Sequence, residues 1–290
     1  MSKDMQAGVP TDLTIGADPE LFVLDRKTGK AVSAHTFFPG TKYDPFMVTD
    51  GAVQVDGVAA EFNIFPASTA EEFQHNIESV LKAMSVILKK KTTDCYLAAI
   101  PVVSFEKEYF DNLPEETKRL GCEPDFNAYT KKTNPTPNAK RLFRTGAGHV
   151  HLGFVNGANP MFKEHFDLCC KIVKQLDAAL FIPSHAWDKD TKRRELYGDR
   201  GAFRPKTYGL EYRTLSNAWL TDPGLIEWVY SSTTQAFKLL DGEDTLLVEQ
   251  DYFKDFNKRT DKVFTPKDIR EYMGFLVDYG FLPLPEEYWT

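Results

Sequence analysis

The sequence contains few cysteines, and it has no long hydrophobic run. Its four cysteines, Cys95, Cys122, Cys169 and Cys170, form no CxxC pair and are too few for a disulfide framework. We therefore expect reduced thiols in a cytoplasmic protein. No apolar stretch approaches the roughly 18 residues of a membrane-spanning helix, and the N-terminal segment lacks the hydrophobic region of a secretory signal. The sequence thus predicts no membrane partner.

Two nucleotide-binding motifs are also absent. The chain has no GxxxxGK[ST] phosphate-binding loop and no glycine-rich dinucleotide fingerprint. Basic residues are fewer than acidic ones, 35 against 42, which gives a net charge of −7. This balance disfavours nonspecific binding to nucleic acid, so nucleic acid is not an expected partner. A chain of 290 residues with 42% hydrophobic residues can nevertheless bury a large core.

Hydrophobic periodicity predicts strands in the first three quarters of the chain and helices in the last quarter. Strands are expected within 12–34, with a turn at 26–29, within 52–64, with a turn at Asp56-Gly57, and at 95–103, 147–155 and 207–215. Helices are expected after a capping box at Ser68–Glu71 and over 161–181, and loops at 111–140 and 184–206. This order favours an α+β fold with an antiparallel sheet covered by helices on one face. We expect a core at 1–220 and a mostly helical part at 221–290 packed on the same domain.

Four of the predicted strand segments carry polar residues two positions apart. Because side chains alternate along a strand, both members of each pair lie on one face of the sheet. The pairs are Asp18 and Glu20, Glu61 and Asn63, His149 and His151, and Glu211 and Arg213. An antiparallel sheet can bury one face and leave the other accessible. We therefore predict that carboxylates, imidazoles and an arginine line one accessible cavity.

Several carboxylates with one or two histidines are suited to a hard divalent cation. Mg²⁺ prefers oxygen ligands and Mn²⁺ also accepts imidazole, whereas zinc favours more histidine or cysteine. Without a cation, the carboxylates of Asp18, Glu20, Glu61 and Glu211 would repel one another. Substrate phosphates usually complete the coordination of Mg²⁺. The pattern therefore predicts a site for Mg²⁺ or Mn²⁺.

Positive residues are concentrated next to this constellation. Guanidinium groups bind phosphate oxygens through paired hydrogen bonds. The segment 192–213 contains Arg193, Arg194, Arg200, Arg204, Lys206 and Arg213, and Arg144 precedes the HVH motif at 149–151. Metal-binding carboxylates beside such arginines suggest nucleotide-dependent phosphoryl transfer.

Five motifs give the chain a family resemblance. They are GADPELFV at 16–23, DGVAAEFNI at 56–64, GCEPDFNAY at 121–129, GAGHVHLGF at 146–154 and RRELYGDRGAFRPKTYGLEYRTLSN at 193–217. With these motifs the sequence resembles the phage-type carboxylate–amine ligases (amidoligases of type 2) of the glutamine synthetase and glutamate–cysteine ligase superfamily. One departure is Asp18-Pro19-Glu20, where E-x-E is common in the ligases.

The resemblance implies a curved, mostly antiparallel sheet with helices on its convex face, and ATP and Mg²⁺ in the concave funnel. It implies metal ligands among Glu20, Glu61, Glu211 and Asp18, with His149 or His151 supplying an imidazole. Arg204 and Arg213 would hold the γ-phosphate and, with Glu211, form the catalytic set. Arg144, Arg194 and Lys206 would add further nucleotide contacts.

The implied reaction activates a carboxylate as an acyl phosphate, which an amine then converts to an amide. The substrates stay open: amino acid, peptide, host protein and modified nucleobase are all compatible with the sequence. A phage-encoded enzyme of this kind would act in the host cytoplasm.

Several other interpretations compete with the ligase. A metal-dependent hydrolase would use HxH and carboxylates but has no need of the arginines. A guanidino-type phosphotransferase would share the fold and the use of ATP, and a non-catalytic phage protein would retain a decayed site. At single residues, Glu61 could simply form an ion pair with Arg213, and 192–194 could be a solvated basic face. Cys122 has no matching catalytic histidine, so we interpret it as a buried thiol.

Overall fold

The computed structural model describes residues 8–118, 125–135, 141–194, 197–241, 247–257 and 264–288. Its strands are β1 (Val9–Ala17), β2 (Glu20–Asp25), β3 (Ala31–Val32), β4 (Phe46–Val48), β5 (Gly51–Asp56), β6 (Ala59–Ile64), β7 (Cys95–Ala98), β8 (Val102–Ser104), β9 (Phe126–Asn127), β10 (Phe143–Thr145), β11 (Val150–Asn156), β12 (Ala202–Lys206) and β13 (Gly209–Tyr212). Each pair formed by these strands is antiparallel. Together with the helices, this confirms the predicted α+β class.

The strands form two main sheets and a short two-stranded ribbon. The first sheet has the order β1-β11-β13-β12-β9, and the second has the order β3-β2-β6-β5-β4 with β7 also paired to β2. The ribbon pairs β8 with β10. Asp18 and Pro19 interrupt the first predicted strand, so that β1 belongs to one sheet and β2 to the other. The sequence predicted a single sheet, whereas the described residues form two main sheets, and Asp18 and Pro19 connect one to the other.

Side-chain alternation gives each sheet an apolar face and a polar face. On β13 the side chains of Leu210 and Tyr212 enter the main hydrophobic core, while Glu211 between them lines a cavity. On β6, Phe62 is in the core and Glu61 faces the same cavity. The period of two that placed polar residues on one face is therefore present in both sheets.

The helices are α1 (Ala70–Lys91), α2 (Lys107–Asp111), α3 (Glu115–Lys118), α4 (Lys163–Leu176), α5 (Ile182–Ser184), α6 (Thr191–Arg194), α7 (Pro223–Lys238), α8 (Asp251–Asn257) and α9 (Pro266–Asp278). A π-helical turn at Asp177–Phe181 joins α4 to α5, and short 3-10 helices lie at Ala34–Thr36, Asn217–Thr221, Leu239–Asp241, Leu247–Glu249 and Glu286–Tyr288. None of the described helices is both long and apolar enough to cross a membrane.

Helices α1 and α4 cover the apolar sides of the two sheets. Helix α1 packs on β5 and β6, α4 packs on β12 and β13, and α7 packs on both helices. One hydrophobic cluster contains Phe62, Phe73 and Leu210 as well as Trp228 and Tyr272 from the C-terminal helices. The boundary at residue 220 stays a prediction.

Helix α1 begins one residue later than its predicted capping box. The N-cap is Thr69, whose hydroxyl accepts a hydrogen bond from the Glu72 amide at 3.1 Å. The Glu72 carboxylate in turn accepts from the Ser68 amide at 2.8 Å. The N-cap is therefore Thr69, and the Glu72 side chain binds the amide of the residue before the cap rather than closing a capping box.

Two further predictions need correction. The segment expected as a loop at 184–206 contains α6 and the whole of β12, which pairs with both β13 and β9. The expected strand at 95–103 is two strands, β7 and β8, separated around Pro101. Cys95, Cys169 and Cys170 are free thiols, and Cys122 lies outside the described residues.

Candidate functional site

Three polar side chains form a row across the second sheet. Glu20 of β2 lies directly opposite Glu61 of β6, and Glu61 lies opposite Gln54 of β5. Residues directly opposite on antiparallel strands bring their side chains close together. The hairpin between β5 and β6 turns at Gly57, whose φ of +57° suits glycine. It places Asp56 beside this row.

A second row crosses the first sheet. Gly16 of β1, His151 of β11, Glu211 of β13 and Arg204 of β12 are successive cross-strand partners. Glu211 therefore has an imidazole on one side and a guanidinium on the other. The register of four strands produces this neighbourhood, although 195 positions separate the first and last members of the set (Gly16 and Glu211) along the chain.

Asp18 lies between the two rows. Its Oδ1 atom is 3.3 Å from His149 Nδ1 and 2.9 Å from His151 Nε2. Pro19 follows and cannot donate a backbone hydrogen bond. The chain thus changes sheets at the residue that contacts both histidines.

Both rows line one cavity of about 530 Å³. Its polar wall holds the carboxylates of the two rows together with Arg204, Lys206 and Arg213. Its lining also includes apolar residues, among them Met47 and Phe65, which are 60% and 49% exposed. Binding sites commonly combine an apolar lining with a few convergent polar groups.

The Glu211 carboxylate is surrounded by cationic side chains. Its Oε2 atom is 3.1 Å from Arg204 Nη1 and 2.8 Å from Lys206 Nζ. Its Oε1 atom accepts from Arg213 Nη1 and is 3.4 Å from His149 Nδ1. Only 1% of the Glu211 side chain is exposed. A buried carboxylate of this kind requires such partners.

The cluster of Glu20, Asp56 and Glu61 has a different electrostatic character. One carboxylate oxygen from each lies within 4.8 Å of the others. Burial, and then the charge of Asp56, raise the pKa of Glu20 to about 8. Burial and the charges of Asp18, Asp56 and Glu20 raise the pKa of Glu61 well above its usual range. Burial also raises the pKa of Asp56.

The group around Asp18 is compensated by the histidines. Burial alone would raise the pKa of Asp18, but His151 and His149 hold it well below its usual range. Burial and the charge of Arg213 lower the pKa of His149 to about 4. Burial would lower the pKa of His151 as well, but Asp18 and Glu211 more than offset this, so the pKa of His151 is raised.

Arg213 is held by three different side chains. Its Nε donates to Asp125 Oδ2 at 3.3 Å, Nη1 donates to Glu211, and Nη2 donates to the Tyr197 hydroxyl. Among the described residues, the acidic partners of Arg213 are Asp125 and Glu211, so the ion pair with Glu61 that the sequence left open is not formed. The guanidinium is fixed at the cavity wall.

Two arginines that the sequence assigned to phosphate are placed differently. Arg144 lines the cavity, but its guanidinium donates to the backbone carbonyls of Arg141, Phe143 and Lys118. Arg194 does not line the cavity and donates to the Asp188 carbonyl at 2.9 Å. The geometry does not favour phosphate binding by Arg194.

The basic run at 192–194 is not simply a solvated face. Arg193 is fully buried and donates to the carbonyls of Thr214 and Leu215. These carbonyls directly follow Arg213 in the chain. Arg193 therefore fixes the end of β13 from behind the cavity.

The structure adds site residues that the sequence did not indicate. Asp56 had been interpreted only as a turn residue, and the alternation along β5 could have placed it on the face of Gln54. Tyr197, Tyr208 and Asp125 lie in loops or turns, where no periodicity predicts the direction of a side chain. Asp125 belongs to the GCEPDFNAY motif, whose residues 121–124 lie outside the described residues. The described parts of 111–140 do not line the cavity.

The fold and these two rows bring carboxylates and cationic side chains together in one cavity. Residues 135–251 match the model of a family described as phage phiEco32-like COOH.NH2 ligase-type 2. This match confirms the resemblance to the carboxylate–amine ligases, and it covers His149, His151, Arg204, Glu211 and Arg213. No curated protein matches the chain.

Proposed function

We propose that this chain is an ATP-dependent carboxylate–amine ligase that uses Mg²⁺ or Mn²⁺. The observation that carries the proposal is the contrast between two carboxylate groups in one cavity. Glu20, Asp56 and Glu61 lie close together and the pKa of each is raised, chiefly by burial, whereas Glu211 is surrounded by Arg204, Lys206 and Arg213. One side therefore suits a metal ion and the other suits phosphate.

The donor set fits a hard divalent cation. Three carboxylates with oxygen atoms within 4.8 Å of one another match the ligands that Mg²⁺ and Mn²⁺ prefer. Burial, and then the charges of neighbouring carboxylates, raise the pKa values of Glu20 and Glu61, and a bound cation would offset both effects. When bound, the cation would neutralise phosphate oxygens during phosphoryl transfer. A second group, Asp18, His149 and Glu211, is the other candidate set of ligands.

The cationic side chains would bind the transferring phosphoryl group. In the first step, a substrate carboxylate oxygen attacks the γ-phosphorus of ATP and ADP leaves. Arg204, Lys206 and Arg213 would exchange part of their pairing with Glu211 for the phosphoryl oxygens, and charge developing there would be stabilised. In the second step, the amine nitrogen attacks the acyl carbon, phosphate leaves, and the nitrogen loses a proton.

The competing functions are less well supported. A hydrolase built on HxH would need further histidine ligands, but among the described residues His149 and His151 are the only histidines that line the cavity. A guanidino phosphotransferase would use the same phosphate-binding side chains, so chemistry must separate it from a ligase. The substrates would be a small-molecule, peptide or protein carboxylate and an amine.

The test is ATP turnover with a panel of carboxylates in the presence and absence of hydroxylamine. We expect a carboxylate-dependent release of ADP and the formation of a hydroxamate, which reports an activated carboxylate. A phosphotransferase would release ADP with a guanidino substrate and form no hydroxamate. Hydrolysis of an amide without ATP would refute the ligase.

A further inference from the structure

Each of the two cavity histidines lies between Asp18 and a tyrosine hydroxyl. Tyr197 Oη is 3.2 Å from His149 Nε2, and His149 Nδ1 is 3.3 Å from Asp18 Oδ1. On the other side, His151 Nε2 is 2.9 Å from the same Asp18 oxygen, and His151 Nδ1 is 2.5 Å from Tyr208 Oη. The five side chains form one continuous chain of polar contacts.

Arg213 fixes the direction of the hydrogen bond at the Tyr197 end. The guanidinium has only donors, and its Nη2 donates to the Tyr197 oxygen. That oxygen therefore accepts from Arg213, and its own proton is available for His149. The phenolic hydroxyl can serve as donor and acceptor at once.

The carboxylates fix the direction at the other end of His149. Nδ1 faces Asp18 Oδ1 at 3.3 Å and Glu211 Oε1 at 3.4 Å. A lone pair at Nδ1 would face two negative oxygens, so Nδ1 carries the proton. At the other ring nitrogen, Tyr197 Oη already accepts from Arg213 and therefore donates its own proton to Nε2. Nε2 is then unprotonated and accepts from Tyr197.

We propose that Tyr197 is a positioning residue, whose single hydroxyl orients both the guanidinium of Arg213 and the Nδ1-protonated tautomer of His149. The proposal deepens the proposed function, because it assigns Tyr197 to the support of an arginine expected to bind phosphate. The Tyr197 ring also lies against Arg213, with 5.3 Å from the guanidinium carbon to the ring centre. Removing only the hydroxyl therefore separates the hydrogen bonds from the packing of the ring.

The test is the tautomeric state of His149 in protein labelled with ¹⁵N-histidine, measured at neutral pH in EDTA. Protonated and unprotonated ring nitrogens differ strongly in ¹⁵N chemical shift, and His149→Gln identifies the resonances. We expect a protonated Nδ1 and a hydrogen-bonded, unprotonated Nε2. In Tyr197→Phe, the Nε2 resonance should move to the position of a nitrogen without a donor.

Tyr208→Phe is the matched control, because Tyr208 occupies the equivalent place beside His151. It should shift the His151 resonances and leave those of His149 in place. The resonances of the buried His165 and His185, which lie away from the cavity lining, report whether each variant keeps its fold. In the hydroxamate assay, Tyr197→Phe should lower kcat about tenfold, the effect expected for one hydrogen bond to a charged group.

Two results would overturn the proposal. One is a wild-type His149 with its proton on Nε2, which needs no variant to detect. The other is a folded Tyr197→Phe protein with unchanged His149 resonances. A protein that showed the expected tautomer and its response to Tyr197→Phe but formed no hydroxamate would support the role of Tyr197 and contradict the ligase function.

Discussion

Replacing Arg213 with lysine removes a planar group that contacts three side chains at once. The guanidinium reaches Asp125, Glu211 and Tyr197 through three different nitrogens. Lysine keeps the positive charge but concentrates it on one ammonium nitrogen at the end of a flexible stem. It can retain the contact with Glu211, but it cannot also reach the other two partners with the same geometry.

The magnitude follows from the contacts that are lost. A hydrogen bond to a charged group contributes about 1.5–3 kcal/mol to stability, so the loss of the Asp125 and Tyr197 contacts should lower the free energy of unfolding by roughly 3 kcal/mol. One missing contact to the transferring phosphoryl group costs on the order of 3 kcal/mol in the transition state, or roughly a hundredfold in rate. We expect Arg213→Lys to be more damaging than Arg204→Lys, because Arg213 reaches Asp125, Glu211 and Tyr197 through three different nitrogens.

The assay is ATP-dependent hydroxamate formation by purified, folded Arg213→Lys, with its melting temperature measured in parallel. Arg26→Lys is the matched control, because Arg26 is exposed and its guanidinium contacts the Thr93 carbonyl and the face of Tyr96, away from the cavity lining. A folded Arg213→Lys enzyme with wild-type kcat would refute the catalytic role. In that case, Arg213 of the wild-type protein would serve only to hold Asp125 and Glu211 together.

Three further predictions concern single side chains. Glu61→Gln should raise the melting temperature in EDTA, because it removes one of three repelling carboxylates. The same change should abolish most of the stabilisation by Mn²⁺. Glu227 is exposed, so Glu227→Gln should change neither melting temperature. Burial raises the pKa of Asp177 to about 7, so the folded state keeps a proton that the unfolded state releases near pH 4. The contribution of protonated Asp177 to the free energy of unfolding is complete below about pH 4 and is lost as the pH rises through about 7. Urea unfolding of Asp177→Asn, which preserves an acceptor for Tyr212, should therefore depend less on pH over this range than wild type, and equal slopes would contradict the reasoning. Thr69→Ala should lower the free energy of unfolding by about 1 kcal/mol, whereas Ser68→Ala should have little effect because Thr69 is the N-cap; the reverse order in urea unfolding would contradict this.

The fold class and the polar face of the sheets could be predicted because a strand has a period of two. Glu61 and Glu211 both follow that period, and both line the cavity. The period does not reveal how many sheets are present, however. The separation into two sheets depends on Asp18 and Pro19, and a proline within a predicted strand gives only a local signal.

The error at β12 has a physical cause. Arg200, Arg204 and Pro205 together give 184–206 the composition of a loop. In the structure, Phe203 and Pro205 are buried while Arg204 and Lys206 face the cavity, so the alternation is present within a very polar segment. Burial of one face by α4 outweighs the low strand propensity of these residues.

The site contacts of loop residues could not be predicted. Tyr197 reaches His149 across 48 positions of the chain, and Asp125 reaches Arg213 across 88. Such contacts depend on tertiary packing, which a single sequence does not specify locally. The motifs GCEPDFNAY and LYGDRG marked the neighbourhoods but not the side chains.

The passage of the chain from β1 to β2 through Asp18 and Pro19 also limits how far the two rows can separate. Gly16 belongs to one row and Glu20 to the other, and four residues of extended backbone span at most roughly 14 Å. This limit is covalent, so it applies however the two sheets pack. A wider cavity for a larger substrate must therefore come from the walls formed by β4 and β10, while the distance between the row of Glu20 and the row of Glu211 stays within the reach of one peptide segment.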